Sequence, residues 1–212
     1  MFISRIELDL RRHHTRRAIA VPQVLHAIVE GCFPDNTDRD RKLWRLDRLH
    51  SSLYLLLLSP DKPDFTEFAR QLCTDGVEGE SKDYTPLLAS IRTGARLRFR
   101  LRANPTHSIT TEKGIRGKVY PHVTVEQKRE WLKKKAQACG FILDDLPFDV
   151  VETDTLRFWR SSTAHPVEIC VAVFEGELEV SDKEMFMQTL TQGVGRAKAY
   201  GCGLLTIAGL QR

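Results

Sequence analysis

The spacing of apolar positions divides the chain into alternating strand-like and helix-like stretches. In FISRIELDL (2–10), Phe2, Ile6, Leu8 and Leu10 share one side, the period-two pattern of a half-buried strand. The polar RRHHTRRA that follows reads as a loop. It leads into VPQVLHAIVEGCF, where Val21, Leu25, Ile28, Val29 and Cys32 fall on one helical face and Pro34 ends the run. LWRLDRL (43–49) and LYLLLL (53–58) read as two strands around a short turn. Asp64 opens a helix, DFTEFARQLCTDG, that Gly76 stops, and YTPLLASI (84–91) is expected to supply a fourth strand. The order is βαββαβ.

The second half repeats that order without repeating its residues. RLRFRLRAN (96–104) alternates as a strand. Thr124 and Gln127 stand in capping-box spacing at the head of TVEQKREWLKKKAQACG, which Gly140 closes. VVETDTLRFW and EICVAVFEGELEV are strand-like, Ser181 and Glu184 are spaced as a second capping box before MFMQTL, and CGLLTIAGL closes the set as a strand. The pattern predicts an α+β fold of two tandem ferredoxin-like (RRM-like, βαββαβ) domains, 1–92 and 93–212, the second carrying a glycine-rich loop. LYLLLL and VAVF read as buried on both faces, and the stacked aromatics of single-strand RNA-binding sheets are absent.

Charge changes this picture more by position than by amount. Across 212 residues, 32 Lys and Arg against 28 Asp and Glu leave a net charge of only +4. Residues 1–92 balance. Residues 96–135 hold twelve basic side chains against three Glu, or +9, whereas 144–184 hold three against eleven acidic ones, or −8. The basic segment points to a polyanion, and the acidic one reads as a face that a polyanion avoids or simply as solvated surface. The five cysteines form no C-x-x-C or Cys/His cluster, so reduced thiols in a cytoplasm are expected and neither a zinc site nor a disulfide framework is. No apolar run is long enough to cross a bilayer. No cofactor fingerprint is present, which disfavours a small-molecule enzyme.

Three motifs carry candidate chemistry. Arg96, Arg98, Arg100 and Arg102 alternate with Leu97, Phe99 and Leu101, so one strand face presents four guanidiniums, suited to phosphates or to the charged edge of a sheet. The lysine-rich helix face of Lys128, Arg129, Lys133, Lys134 and Lys135 reads equally well as solvated surface. QGVGRAKAYGCGLL (192–205) fits no dinucleotide or P-loop fingerprint. It is expected to form a bend whose amides, Arg196 and Lys198 approach an anion. His26 sits at the border of the first long helix's apolar face, beside Gln23 and Glu30, where proton transfer near neutral pH and a structural role are both open. His13 and His14 are weaker candidates.

LRFRLRANP (97–105), HAIVEGCFP (26–34), LWRLD (43–47), FEGELEV (174–180) and QGVGRAKAYGCGLLTI (192–207) together resemble the CRISPR repeat-processing endoribonuclease of the type I-E system, the CasE family. The resemblance implies a metal-independent cut at the 3′ base of a repeat hairpin, with the product kept in the Cascade complex beside its other subunits. It implies a catalytic role for His26. It implies RNA contacts at the glycine loop (Gly193, Gly195, Arg196, Lys198, Gly201, Gly203) and at Arg157 and Arg160 of a second-domain hairpin entering the RNA major groove; Arg98, Arg100 and Arg102 of the ladder and Lys118 of the basic segment are the RNA-binding candidates that the charge pattern adds. Family members often carry a tyrosine three residues before the histidine and, in some, a lysine five after it. Gln23 and Gly31 stand there instead, and Arg16 and Arg17 are the nearby cations left to stabilise charge. The alternative is a non-catalytic subunit that binds the same hairpin.

Overall fold

A computed structural model describes residues 1–34, 41–109, 117–159 and 166–210. The first unit runs β1 (Phe2–Leu8), α1 (His13–Ala20), α2 (Pro22–Glu30), β2 (Leu43–Leu49), β3 (Ser52–Ser59), α3 (Thr66–Leu72), β4 (Glu80–Asp83) and α4 (Thr85–Ser90). The second runs β5 (Arg96–Ala103), β6 (Thr106–Ile109), β7 (Lys118–Pro121), α5 (Val125–Gln137), β8 (Phe141–Ile142), β9 (Phe148–Phe158), β10 (Val167–Val180), α6 (Lys183–Gln192) and β11 (Leu205–Gly209). The first sheet has order β2-β3-β1-β4 and the second β11-β5-β10-β8, with β9 also on β10. Both are the antiparallel arrangement of a ferredoxin-like fold. The second unit's second strand is broken into β8 and β9, and a separate β6–β7 hairpin stands between β5 and α5.

Three local expectations are corrected. RRHHTRRA is helical, not a loop: Thr15 and Ala18, one turn apart, are its buried pair, and the Thr15 hydroxyl donates to the Leu72 carbonyl at 2.9 Å. Residues 84–91 are the helix α4, not a strand. Pro86 suits a first helical turn, the Asp83 carboxylate accepts the Thr85 N–H, and the fourth strand is the preceding ESKD, a polar edge strand with no alternation to betray it. The cap of α6 is Asp182, which accepts the Met185 N–H at 2.8 Å, rather than Ser181. The Thr124–Gln127 capping box on α5 is present as read. Below it, Lys128 is buried and Arg129 pairs with Asp149, so that face is only partly solvated.

Packing explains why no stacking platform exists. One face of the first sheet (Ile6, Leu8, Leu55, Leu57 and Trp44) closes on α1, α2 and α3. Its other face, with Leu43 and Leu58, lies against Tyr84 and against Leu204 of the second unit. The sheet surface that single-strand binders leave open is therefore spent on joining the two halves. The joint is polar as well. Arg45, 2% exposed, projects from this face of β2 and donates to the β5 carbonyl of Arg100, the Leu204 carbonyl and the Thr206 hydroxyl. All five cysteines are free thiols, and burial pushes Cys32 up to about 12 and Cys73 and Cys202 up to about 11.

Candidate nuclease site

His26 lies on α2, one turn before its C-terminus. Leu25 and Val29 anchor the helix in the core, which leaves His26 on the flank with 35% of its side chain exposed. The ring is not exposed evenly. Its Nδ1 is buried with no hydrogen-bond partner, so the accessible edge is the one bearing the other ring atoms. The carboxylate facing Nδ1 is Glu30, one turn on, with Oε1 at 3.8 Å. Its other oxygen meets the Lys42 ammonium at 3.1 Å. The Lys42 side chain is only 7% exposed and sits over the Phe33 ring, 5.0 Å from its centroid. Glu30 is visible in sequence as a helical neighbour of the histidine. Lys42 is not, because it enters from the start of β2.

The glycine-rich stretch forms the other wall. Gly193 caps α6, a single 3-10 turn follows at Lys198–Tyr200, and that turn packs against α2 and β2. The loop is closed by the Val194 N–H on the Gly203 carbonyl and by the Gly203 N–H on the Arg102 carbonyl. Arg102 also donates to the carbonyls of Tyr200 and Gly201, each at 3.2 Å. The Lys198 ammonium donates to the Gln192 carbonyl at 2.6 Å; burial, with Arg41 nearby, lowers its pKa. Arg196 is exposed, and Gly195 before it lies over the Trp131 indole.

Gly201 shows why this loop needs glycine. It is left-handed, at φ 75° and ψ 26°, and a Cβ there would stand 2.7 Å from the Trp44 indole. Gly201→Ala is therefore expected to destabilise the chain by on the order of 2–4 kcal/mol, combining left-handed strain with overpacking. Urea unfolding would show it as a lower midpoint at unchanged slope. A midpoint equal to wild type would mean that the loop yields freely.

The arginine ladder is arranged differently from the sequence expectation. β5 is an inner strand, with β11 on one side and β10 on the other. Register places Glu179 opposite Arg96, Glu177 opposite Arg98 and Glu175 opposite Arg100. Arg96 pairs with Glu179 at 3.2 Å, and Arg100 with Glu175, with Glu152 at 3.1 Å and with Asp47 at 3.3 Å. The acidic segment is thus not a remote face that a polyanion avoids; its strand neutralises the basic one from alongside. Arg98 remains exposed, whereas Arg100 and Arg102 are held by partners within the chain.

The remaining predicted residues are dispersed around these elements. Arg16, on α1, donates to the carbonyls of Leu10 and Arg11, while Arg17 beside it is exposed. Lys118 is exposed on β7. Arg157, on β9, is exposed and faces Glu168 across the hairpin at 3.3 Å; Arg160 lies outside the described residues. A groove of about 710 Å³ runs between the two units, lined in part by Arg48, Arg100, Arg102 and Arg157. Gln23 lines a second groove of about 610 Å³, with His14 and the exposed Trp159. Among the described residues, no three His, Cys, Asp or Glu side chains gather as a metal-ligand set.

The chain thus has two ferredoxin-like units joined through a sheet face, with His26 on a helix flank and the glycine loop packed against that helix. The chain belongs to the CRISPR associated protein family, whose model matches residues 1–209. It is 29% identical to the CRISPR-associated endoribonuclease Cse3 of Thermus thermophilus over 222 residues, covering 98% of this chain and 100% of that protein. It is 26% identical to the Cascade subunit CasE of Escherichia coli K12 over 196 residues, covering 88% and 91%. Among solved structures, Thermus thermophilus Cse3 bound to an RNA representing a pre-cleavage complex superposes with a TM-score of 0.81, at 27% identity and 98% coverage of both chains.

Proposed function

We propose that this protein binds the hairpin of a CRISPR repeat transcript and cuts the strand at the 3′ base of the stem, then stays with the product as a subunit of Cascade. RNA supplies its own nucleophile. The 2′-oxygen attacks the adjacent phosphorus and the bond to the 5′-oxygen breaks. The 2′-hydroxyl proton passes to a base, and the departing 5′-oxygen gains one, leaving a 2′,3′-cyclic phosphate and a 5′-hydroxyl. Alignment supplies several kcal/mol, and general acid–base transfer ~10²- to 10⁴-fold in rate. His26 moves one of those protons through its exposed edge, and no metal ion takes part in this reading.

The observation that carries the reading is the half-turned ring of His26, with Nδ1 buried toward Glu30 and the opposite edge open, on the helix against which the glycine loop packs. Loop amides and Arg196 stabilise the phosphorane, and Arg17, Arg98, Lys118 and Arg157 contact the backbone; Arg160 extends that set at the hairpin. Arg100, Arg102, Arg16 and Lys198 act through the neighbours they hold. Such a protein works in the cytoplasm, where transcripts are made, and no helix among the described residues is long and apolar enough to cross a membrane.

A repeat hairpin with a single deoxynucleotide immediately 5′ of the scissile phosphate tests this. It should bind with unchanged affinity and remain uncut, while the all-RNA hairpin is cut equally with and without EDTA. Cleavage of the deoxy substrate would overturn 2′-hydroxyl attack.

A further inference from the structure

We infer that Glu30 and Lys42 are positioning residues that set the tautomer of His26, an inference that rests on the proton-transfer role proposed above. A neutral imidazole carries one proton on two nitrogens, and the partner of one nitrogen decides the state of the other. Here the buried Nδ1 meets a carboxylate, which accepts hydrogen bonds and donates none. Nδ1 therefore keeps the proton, and Nε2 is left with a bare lone pair. The gap of 3.8 Å exceeds the ~3.2 Å reach of a hydrogen bond, and contacts of this kind commonly tighten once substrate is seated.

Lys42 makes the arrangement directional. Its nearly buried ammonium holds Glu30 Oε2 at 3.1 Å, leaving Oε1 as the oxygen turned to the ring. With three donors and no acceptor, the Lys42 ammonium can meet only the oxygen of a carboxamide and never its NH₂. Replacement of Glu30 by Gln keeps the shape and reverses the chemistry. The amide oxygen must go to Lys42, which turns the NH₂ toward Nδ1. Nδ1 then becomes the acceptor and the proton moves to Nε2, where a base needs the lone pair. Glu30 is 42% exposed in its side chain and lies at the end of α2, so the exchange leaves the core untouched.

The test uses the full chain labelled with ¹⁵N-histidine, the resonance of His26 being assigned by its loss in His26→Ala. Long-range ¹H–¹⁵N spectra above the titration range should report proton on Nδ1 in wild type and on Nε2 in Glu30→Gln. Single-turnover cleavage of the repeat hairpin should fall on the order of tenfold in Glu30→Gln, a part of the ~10²- to 10⁴-fold that acid–base transfer supplies, with RNA affinity unchanged. Adding Lys42→Met to Glu30→Gln frees the amide to rotate, and should return the Nδ1 proton and part of the rate. A wild-type tautomer and rate in Glu30→Gln would overturn the inference, and no recovery in the double variant would overturn the part given to Lys42. Either failure with His26→Ala still inactive leaves the proposed function standing, whereas normal cleavage by His26→Ala removes that reading itself.

Discussion

His26→Ala is expected to slow single-turnover cleavage of a repeat hairpin by ~10²- to 10⁴-fold, the range that one well-placed acid or base contributes. Affinity for the uncut hairpin should stay close to wild type. Binding to a nucleic acid is carried mainly by cations on phosphates, and the variant removes no Lys or Arg. The fold should survive as well. His26 flanks the core without belonging to it, since the α2 positions sealed inside are Leu25 and Val29, and alanine is the best of helix formers. A filter-binding curve, a melting curve and a cleavage time course on the same preparation separate these effects. Residual cutting above the uncatalysed rate is expected from alignment alone. Equal cleavage by wild type and variant would leave a hairpin-binding subunit without nuclease activity.

How far this site can be read from sequence depends on whether its parts lie on one element. His26 and Glu30 share a helix, and helical spacing exposes both. Lys42 reaches them from the start of β2, and periodicity says nothing about which strand end faces which helix flank. The same limit governs the arginine ladder. Alternation correctly places Phe99 and Leu101 in the core, with Leu97 partly buried against it, and the arginines on the opposite face, but register against β10 decides that glutamates sit beside them. A sum of charges along the chain separates a basic from an acidic segment that the sheet interleaves. Strong two-fold or helical patterns identify β1, α2, β2, β3, α3, β5 and α5. The elements missed or misread are short: α1 buries only Thr15 and Ala18, β4 is the exposed edge ESKD, β6 and β7 span four residues each, β8 spans two, and α4 is a six-residue helix whose Leu87 and Leu88 fit a strand as well. Where little apolar surface is buried, little pattern is written.

Arg45→Met is expected to lower the unfolding free energy by about 3–5 kcal/mol, the cost of breaking a buried ion pair from one side. That is a large share of the ~5–15 kcal/mol that holds a typical domain. The arginine is 2% exposed, and each of its five N–H donors has an acceptor. Nε and Nη2 grip the two Asp47 oxygens at 2.7 Å, Nη1 reaches the carbonyls of Arg100 and Leu204 at 2.9 and 3.0 Å, and Nη2 also reaches Thr206 Oγ1 at 2.9 Å. Methionine fills a similar volume but leaves Asp47 with only its 3.3 Å contact to Arg100, the Arg100 carbonyl with only the Thr206 hydroxyl, and the buried Leu204 carbonyl without this donor, and an under-matched polar group costs more than a made bond contributes. Lysine cannot substitute, because three donors on one nitrogen cannot span acceptors arranged around a planar fork. Urea titration of Arg45→Met and Arg45→Lys should show both well below wild type. Adding Asp47→Leu to Arg45→Met should recover part of the loss, since it removes a carboxylate left with Arg100 as its one cation, while Arg100 keeps Glu175 and Glu152. Loss below about 1 kcal/mol would place the cluster among solvent-screened surface pairs. Because Arg45 joins the unit bearing His26 to the strands that carry the glycine loop, its variants should also cut more slowly at temperatures where they remain folded, with a wild-type rate there showing that the two walls hold their places without it.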